Sequence, residues 1–341
     1  MQPARIGPFT VLQVLGTGAL GQVVLGRTDK GVRVAVKIFR PEFTDYSRFR
    51  LRLREEIDVA ARVRGPRIAA VLDADCDADL PWLATEYVPA PPLHEVLAAQ
   101  GPLDVPAARQ LGIGLAEALA SIHAAGAVHG DLKPANVLLG PDGPRVTDVG
   151  IGRAAAATPL TRGGALVGTL GYLAPEQILD GRAGPPADVF ALGALLLLAS
   201  TWRRPFGDGD ATAVLHRVLH GDPDLAGVTG DVATVVEACL RRNPDVRPGP
   251  GQVRETLLAA ARGGGPPTPS PTTRTARPVP APRSPAAPTP AAPPVRRRGR
   301  ARRVASATAV SLTLLGVLAV TPADTIVAPP PRSIVGAVLA R

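Results

Sequence analysis

Asp131, Lys133 and Asn136 fall within one short run, His129-Gly130-Asp131-Leu132-Lys133-Pro134-Ala135-Asn136-Val137-Leu138-Leu139. A carboxylate, an ammonium and a carboxamide at these spacings are the groups that moving a phosphoryl group onto a hydroxyl requires. A further carboxylate, Asp148, stands downstream in Val146-Thr147-Asp148-Val149-Gly150, and another lysine, Lys37, lies far upstream. Chemistry shared among residues so scattered depends on the elements that gather them.

Those elements follow in order along the chain. Apolar alternation on both sides of Gly16-Thr17-Gly18-Ala19-Leu20-Gly21-Gln22-Val23 predicts a strand pair closed by a glycine-rich turn. Glycines let such a hairpin lie close over phosphates, with backbone amides facing their oxygens. Dinucleotide-binding folds also use glycines spaced this way, but theirs lead into a helix, whereas Val23-Val24-Leu25 here resumes a strand. Val34-Ala35-Val36-Lys37-Ile38 reads as the next strand, and Tyr46 to Val63 as a helix carrying Glu55 and Glu56. Thr85-Glu86-Tyr87-Val88 follows an apolar strand and leads into Pro89-Ala90-Pro91-Pro92. From Pro106 to Ala125 a helix is predicted, with proline in its first turn, Leu111, Leu115, Leu119 and Ile122 along one face, and Gly126 as its stop.

In this order the segments resemble the protein kinases, from about Phe9 to Arg262, and most of all the bacterial serine/threonine kinases of the actinobacterial receptor-like type. The run around Asp131 is similar to their catalytic loop, Asp148-Val149-Gly150 to their metal-binding motif, and Gly168-Thr169-Leu170-Gly171-Tyr172-Leu173-Ala174-Pro175-Glu176 to the segment that closes the activation loop. The resemblance implies that Asp131 accepts or orients the proton of the attacking hydroxyl, Lys133 meets the γ-phosphate, and Asn136 and Asp148 hold magnesium or manganese. Lys37 would contact the α- and β-phosphates of ATP. Either Glu55 or Glu56 could orient that lysine, and position relative to the Gly65-Pro66 turn favours Glu56. The nucleotide would lie against Leu15, Gly16, Thr17, Gly18, Ala19, Leu20, Gly21, Gln22, Val23, Ala35, Thr85 and Leu138, its adenine edge meeting backbone groups of Glu86 and Val88. Glu176 is expected to pair with Arg247, and Asp188, opening a buried helix, to brace the catalytic loop. Lys133 and Thr169 point to serine or threonine as acceptor.

Composition bears on the two lysines independently. The chain has only three, Lys30, Lys37 and Lys133, against 35 arginines, so something favours arginine at basic positions. Both places where the resemblance calls for a compact ammonium on a flexible stem nevertheless keep lysine.

Two positions depart from the family pattern. Gly130 replaces the arginine that usually precedes the catalytic aspartate and receives an activation-loop phosphate, so phosphate on Thr158 or Thr161 would find no cation there. Both threonines could equally be ordinary polar loop residues. Val149 replaces a phenylalanine of the packing column between lobes, which should loosen that column by about 1–2 kcal/mol, judged from large-to-small core substitutions. Neither change removes a group that touches ATP or metal.

The 341 residues carry a net charge of +9, but residues 1–262 hold 27 basic and 28 acidic side chains. That near-neutral balance gives no footprint for nucleic acid. Nine arginines and no acid fall in 263–303, a stretch rich in proline and alanine that cannot bury enough surface to fold and is read as an extended linker. Its block Arg296-Arg297-Arg298-Gly299-Arg300-Ala301-Arg302-Arg303 abuts the apolar run 304–320, a positive-inside signature. Seventeen residues reach about 25 Å as a helix, enough for a short span. Leu192–Ala199 is apolar but too short to cross and reads as buried. No amino-terminal signal peptide is apparent. Two cysteines, Cys76 and Cys239, indicate neither a disulfide framework nor a thiolate site, and His216 and His220 read as a solvated helix face.

These readings converge on an α+β, two-lobed kinase fold. Residues 9–88 form the small antiparallel lobe with one helix and 89–262 the large, mainly helical lobe. Linker 263–303, membrane helix 304–320 and a short outer tail, 321–341, follow. The expected protein is a single-pass kinase of the cell membrane with its catalytic domain in the cytoplasm, acting on protein serine and threonine hydroxyls, with dimerisation left open. The alternatives are a nucleotide-binding pseudokinase scaffold and an ATP-dependent small-molecule kinase. The Ala174-Pro175-Glu176 segment, which builds a protein-substrate platform, argues against the latter.

Overall fold

A computed structural model describes residues 4–44, 47–151, 170–181 and 183–263. The chain opens with β1 (Arg5–Ile6), β2 (Phe9–Thr17), β3 (Gly21–Arg27) and β4 (Arg33–Phe39), continues through α1 (Pro41–Thr44) and α2 (Ser47–Ala60), and returns in β5 (Val71–Asp75) and β6 (Trp82–Glu86). The strands form one antiparallel sheet in the order β1-β2-β3-β4-β6-β5. Because side chains alternate across a strand, the register divides this sheet into two faces. Val24, Val36 and Ala84 lie opposite one another and pack with Ile6, Phe9, Val34, Ile38 and Trp82 as one apolar layer. The Phe9 and Trp82 rings meet edge to face at 5.4 Å. The other face carries Val23 opposite Lys37 opposite Leu83, and Ala35 opposite Thr85.

Helix α2 covers one end of that second face. Phe49, Leu53 and Ile57 project from it at helical spacing and bury against Phe39, Cys76, Leu83 and Ile151. Each side chain so enclosed contributes about 1.5–3 kcal/mol. The helix ends at Ala60, short of the expected Val63, because the amides of Ala61, Arg62 and Val63 close a turn onto the carbonyls of Ile57, Val59 and Ala60.

The second lobe begins with α3 (Leu93–Gln100) and α4 (Val105–Ala124). Asp104 caps α4 by accepting from the Ala107 amide at 2.9 Å, and Gly126, at φ +73°, takes the left-handed turn beyond its end. A short 3₁₀ turn, Pro134–Asn136, leads into the hairpin β7 (Val137–Gly140) and β8 (Gly143–Val146). Helices α5 (Pro175–Asp180), α6 (Pro185–Thr201), α7 (Ala211–His220), α8 (Gly230–Cys239) and α9 (Pro250–Gly263) complete it. Every residue of α6 from Ala187 to Ala199 is buried, so the apolar run 192–199 is the central core helix. A helix apolar all round is one surrounded by protein.

The two-lobed α+β architecture is as expected, but the lobes do not divide the sequence at one point. Val63 and Ile68 bury in the large-lobe core with Leu119, Ile122 and Val146, whereas Ile151 buries in the small-lobe cluster. Backbone bonds explain the first exchange: Val146 donates to Arg67 O at 2.8 Å and Ala69 donates to Val146 O at 2.9 Å. Residues 67–70 thus run as a strap along β8 although they precede β5.

Among the described residues, no helix is long and apolar enough to cross a membrane. The linker, the run 304–320, and Thr158, Thr161, Gly168 and Thr169 lie outside the described residues. Cys76 and Cys239 are buried and unpaired with each other, and burial pushes the Cys239 thiol up to about 12. His216 and His220 share an exposed face of α7 with ring centroids 4.9 Å apart. Among the described residues no cluster of three or more His, Cys, Asp or Glu could hold a metal.

Candidate active site

The loop from His129 to Asn136 is held from below by α6. Asp188, in the first turn of that helix and 1% exposed, accepts the amides of His129 at 2.9 Å and Gly130 at 2.8 Å. Its Oδ2 also meets His123 Nε2, at the end of α4, at 2.8 Å. Its place in the first turn of a helix sets these oxygens where the backbone dipoles favour an acceptor. From the other side, Gln177 Nε2 donates to the Gly130 carbonyl at 3.0 Å. The Gln177 Oε1 accepts the Ala174 amide at 3.0 Å, so one side chain caps α5 and ties it to the loop. Gly130 itself sits at φ +74°, a left-handed conformation that glycine adopts without the steric cost an arginine would meet.

His129 works as a strut. Its Nδ1 accepts the Asp131 amide at 3.3 Å while Nε2 meets the Thr147 carbonyl at 3.1 Å, an arrangement that a neutral ring protonated on Nε2 satisfies. Gly150 donates to the His129 carbonyl at 3.1 Å and Thr147 to the Asn136 carbonyl at 3.0 Å. The loop bearing Asp131 and the segment bearing Asp148 are thereby stitched side by side. Lys133 Nζ donates to Asp131 Oδ2 at 2.6 Å, as two residues on one extended turn can.

Asn136 is 5% exposed, and its Nδ2 donates to the Asp131 carbonyl at 2.8 Å. That bond leaves Oδ1 as the atom available to a cation. Asp148 supplies a carboxylate from a left-handed residue, φ +61°, at the end of β8. Burial raises its pKa, but the Lys37 ammonium, joined by His129 and Lys133, holds the carboxyl below the usual range, so it is ionised at neutral pH. One carboxylate and one carboxamide oxygen suit a hard cation of the magnesium type, which keeps waters and takes substrate phosphates as its other ligands.

Lys37 Nζ lies 2.8 Å from Asp148 Oδ2. Here the ammonium meets Asp148, whereas the tie to Glu56 is the one expected of the active state. Helix α2 brings the Glu56 backbone beside Gly150, with its carbonyl 3.8 Å from where a Gly150 Cβ would lie. Glu56 therefore lies alongside the turn that follows Asp148, and the ammonium takes the carboxylate at the end of β8.

The sheet face bearing Lys37 also presents Val23, Ala35 and Thr85. The glycine-rich turn closes with Gly18 donating to Gly21 O at 2.8 Å, while Gly16 and Thr17 pair with Val23 and Gln22. Gly21 must be glycine, because a Cβ there would lie 1.9 Å from the Ile38 carbonyl oxygen. Gln22 is buried and bonds Thr17 Oγ1 at 3.2 Å, Leu15 and Ala19 are exposed, and Leu20 packs toward the α2 cluster. On the floor, Leu138 bridges Pro92. At the end of β6 the Glu86 amide is already used, donating to Ala70 O at 2.9 Å, so it is not open to a ligand. The Val88 amide has no partner among the described residues.

The segment after the activation loop is anchored as expected. Arg247 grips Glu176 bidentately at 2.6 and 2.9 Å, and its remaining donors reach the carbonyls of Pro186, Arg241 and Arg242. All five N–H groups of the buried guanidinium are thus satisfied. Phe190 stacks beneath it at 5.0 Å. Val149 is buried in the large-lobe core. His123, Gln177 and Arg145 carry no signal in the sequence, because each acts through a partner far away in the chain.

Comparison with known proteins agrees with this geometry. The model of the protein kinase domain matches residues 9–258. The chain is 43% identical over 246 residues to the probable serine/threonine-protein kinase PkwA of Thermomonospora curvata, covering 72% of this chain and 33% of that protein. It is 44% identical over 264 residues to the serine/threonine-protein kinase AfsK of Streptomyces coelicolor, covering 77% and 33%. Against the serine/threonine-protein kinase PknA of Mycobacterium tuberculosis it is 35% identical over 285 residues, covering 81% and 66%. The chain thus spans about a third of the length of the first two of these relatives.

Proposed function

The chain belongs to the protein kinase family, and from that premise we propose that it transfers the γ-phosphoryl group of ATP to serine and threonine hydroxyls of proteins. The observation that carries this reading is the cross-stitched pair of segments holding Asp131 and Asn136 beside Asp148, with Lys37 reaching Asp148 from the sheet above. Asp131 aligns the acceptor hydroxyl and takes its proton. Lys133, now on Asp131, is within reach of the transferring phosphate. Lys37 exchanges its carboxylate partner for the α- and β-phosphates. Asn136 Oδ1 and Asp148 would hold magnesium or manganese, which when bound neutralises charge on the phosphate oxygens. Catalysis of this kind is mostly positioning and charge neutralisation.

The test is transfer of labelled phosphate from ATP, with magnesium or manganese, by the full chain to itself or to a panel of acceptor proteins. Binding of Mg-ATP without transfer to any acceptor would replace this reading with that of a pseudokinase scaffold.

The proposal extends to location. Arginines 296–303 next to the apolar run 304–320 support a single span with the catalytic domain on the cytoplasmic face. Each arginine near an anionic leaflet adds about 1 kcal/mol of attraction. The full chain is expected to stay with membranes through salt and carbonate washes, whereas a chain ending at Arg303 is not. Release of the full chain by salt alone would mean that the arginines bind the surface and nothing crosses.

A further inference from the structure

Arg145 lies on β8, three residues before Asp148 and opposite Leu138 of β7, and its side chain reaches Glu86 at the end of β6. Its Nη1 donates to Glu86 Oε1 at 2.9 Å, and its Nη2 donates both to Glu86 Oε2 and to the Ile68 carbonyl at 2.6 Å. A forked, two-point grip on a carboxylate fixes orientation as well as distance. The carboxyl of Glu86 is held below its usual range, first by that hydrogen bond.

The surrounding backbone gives this grip its meaning. Glu86 is the last residue of β6, and the segment that follows leaves the Val88 amide without a partner among the described residues before the chain is tied down again by Ala90 donating to Val88 O and Leu139 donating to Pro91 O, both at 2.9 Å. The strap 67–70 links the same two strands: Arg67 O and the Ala69 amide bond Val146, and Ala70 O accepts the Glu86 amide. Arg145 crosses this strap and binds its Ile68 carbonyl on the way to Glu86. Three backbone links and one side-chain clamp therefore set the end of β6 against β8, which ends two residues before Asp148.

We propose that Arg145 is a positioning residue for the nucleotide: its clamp on Glu86 and Ile68 sets the hinge carbonyl and amide at a defined distance from the phosphate-binding end of β8. The inference rests on the kinase reading for its ligand. Without the clamp, the backbone bonds of Val146 still seat Asp148, but the hinge gains slack that binding of an adenine must remove. The loss falls on nucleotide affinity and spares the phosphoryl step.

In the full chain, Arg145→Gln should raise KM for ATP about tenfold while kcat moves by less than about twofold. Glu86→Gln should raise KM by a similar factor, and the double variant should be no worse than either single one, because each removes the same interaction. Calorimetric Kd for Mg-ADP should follow KM, and thermal denaturation separates a merely structural role, which would lower Tm and leave KM and Kd unmoved. An unchanged KM and Kd in Arg145→Gln, or additive effects in the double variant, would overturn the proposal. If the parent chain binds nucleotide but transfers no phosphate, the kinase reading fails, and the Kd series alone still decides the clamp.

Discussion

Replacing Asp131 by asparagine is expected to slow phosphoryl transfer by about 10²–10⁴-fold, the usual worth of a positioned proton acceptor, with Kd for Mg-ATP changed by less than about twofold. Asparagine keeps the size of the side chain and leaves the main-chain bonds of residue 131 to His129 and Asn136 intact. Gly130 stays pinned between Asp188 and Gln177, so the loop keeps its path. What disappears is the carboxylate facing Lys133 at 2.6 Å. Single-turnover rates at saturating ATP, paired with calorimetry, separate the two quantities. A variant that transfers phosphate at the parental rate would remove Asp131 from the chemistry and send the search for the base elsewhere.

The second large effect is on stability. Arg247→Leu should lower the unfolding free energy by about 3–5 kcal/mol, because it strands a carboxylate and several carbonyls in a packed site. The Arg247 side chain is fully buried, and Glu176 is 19% exposed. With Arg247 gone, Glu176 and the carbonyls of Pro186, Arg241 and Arg242 lose donors together. Joint replacement, Glu176→Leu with Arg247→Leu, should recover part of the loss, since no unpaired charge remains. Denaturant midpoints at unchanged slope measure it. A loss under about 1 kcal/mol would place the pair with exposed ion pairs, whose geometry contributes little.

Much of the site is legible in the amino-acid sequence. The loop carrying Asp131, Lys133 and Asn136 spans a few residues, so its spacing alone limits how its groups can be arranged. The alternation of Val34 to Ile38 puts Ala35 and Lys37 on one face, as the register with Val23 and Thr85 bears out. The pairing of Glu176 with Arg247 and the bracing by Asp188 are what the resemblance to the protein kinases implies, and both contacts form.

The choice of partner for Lys37 is not legible there. The sequence offers Glu55 or Glu56 to the Lys37 ammonium and reads Asp148 as a metal ligand, yet in the folded chain Lys37 meets Asp148 at 2.8 Å, across 111 residues of sequence. The boundary between lobes is hidden for a related reason. Residues 63–70 precede β5 in the chain, yet Val63 and Ile68 bury in the large-lobe core and Arg67 and Ala69 bond Val146 of β8, whose hydrogen-bonding edge no nearby residue advertises. The clamp of Arg145 on Glu86 closes over 59 residues of sequence and has no periodicity to announce it.

The amino-acid sequence by itself thus determined the kind of chemistry, the order of the elements and the faces on which the reactive groups lie, because these follow from interactions within a turn or a strand. Tertiary structure alone decided which carboxylate holds Lys37, which strands the 67–70 strap joins and how Arg145 fastens the hinge. Those contacts depend on the free energy of packing whole elements together, where burial and satisfied hydrogen bonds at distant positions outweigh any local preference.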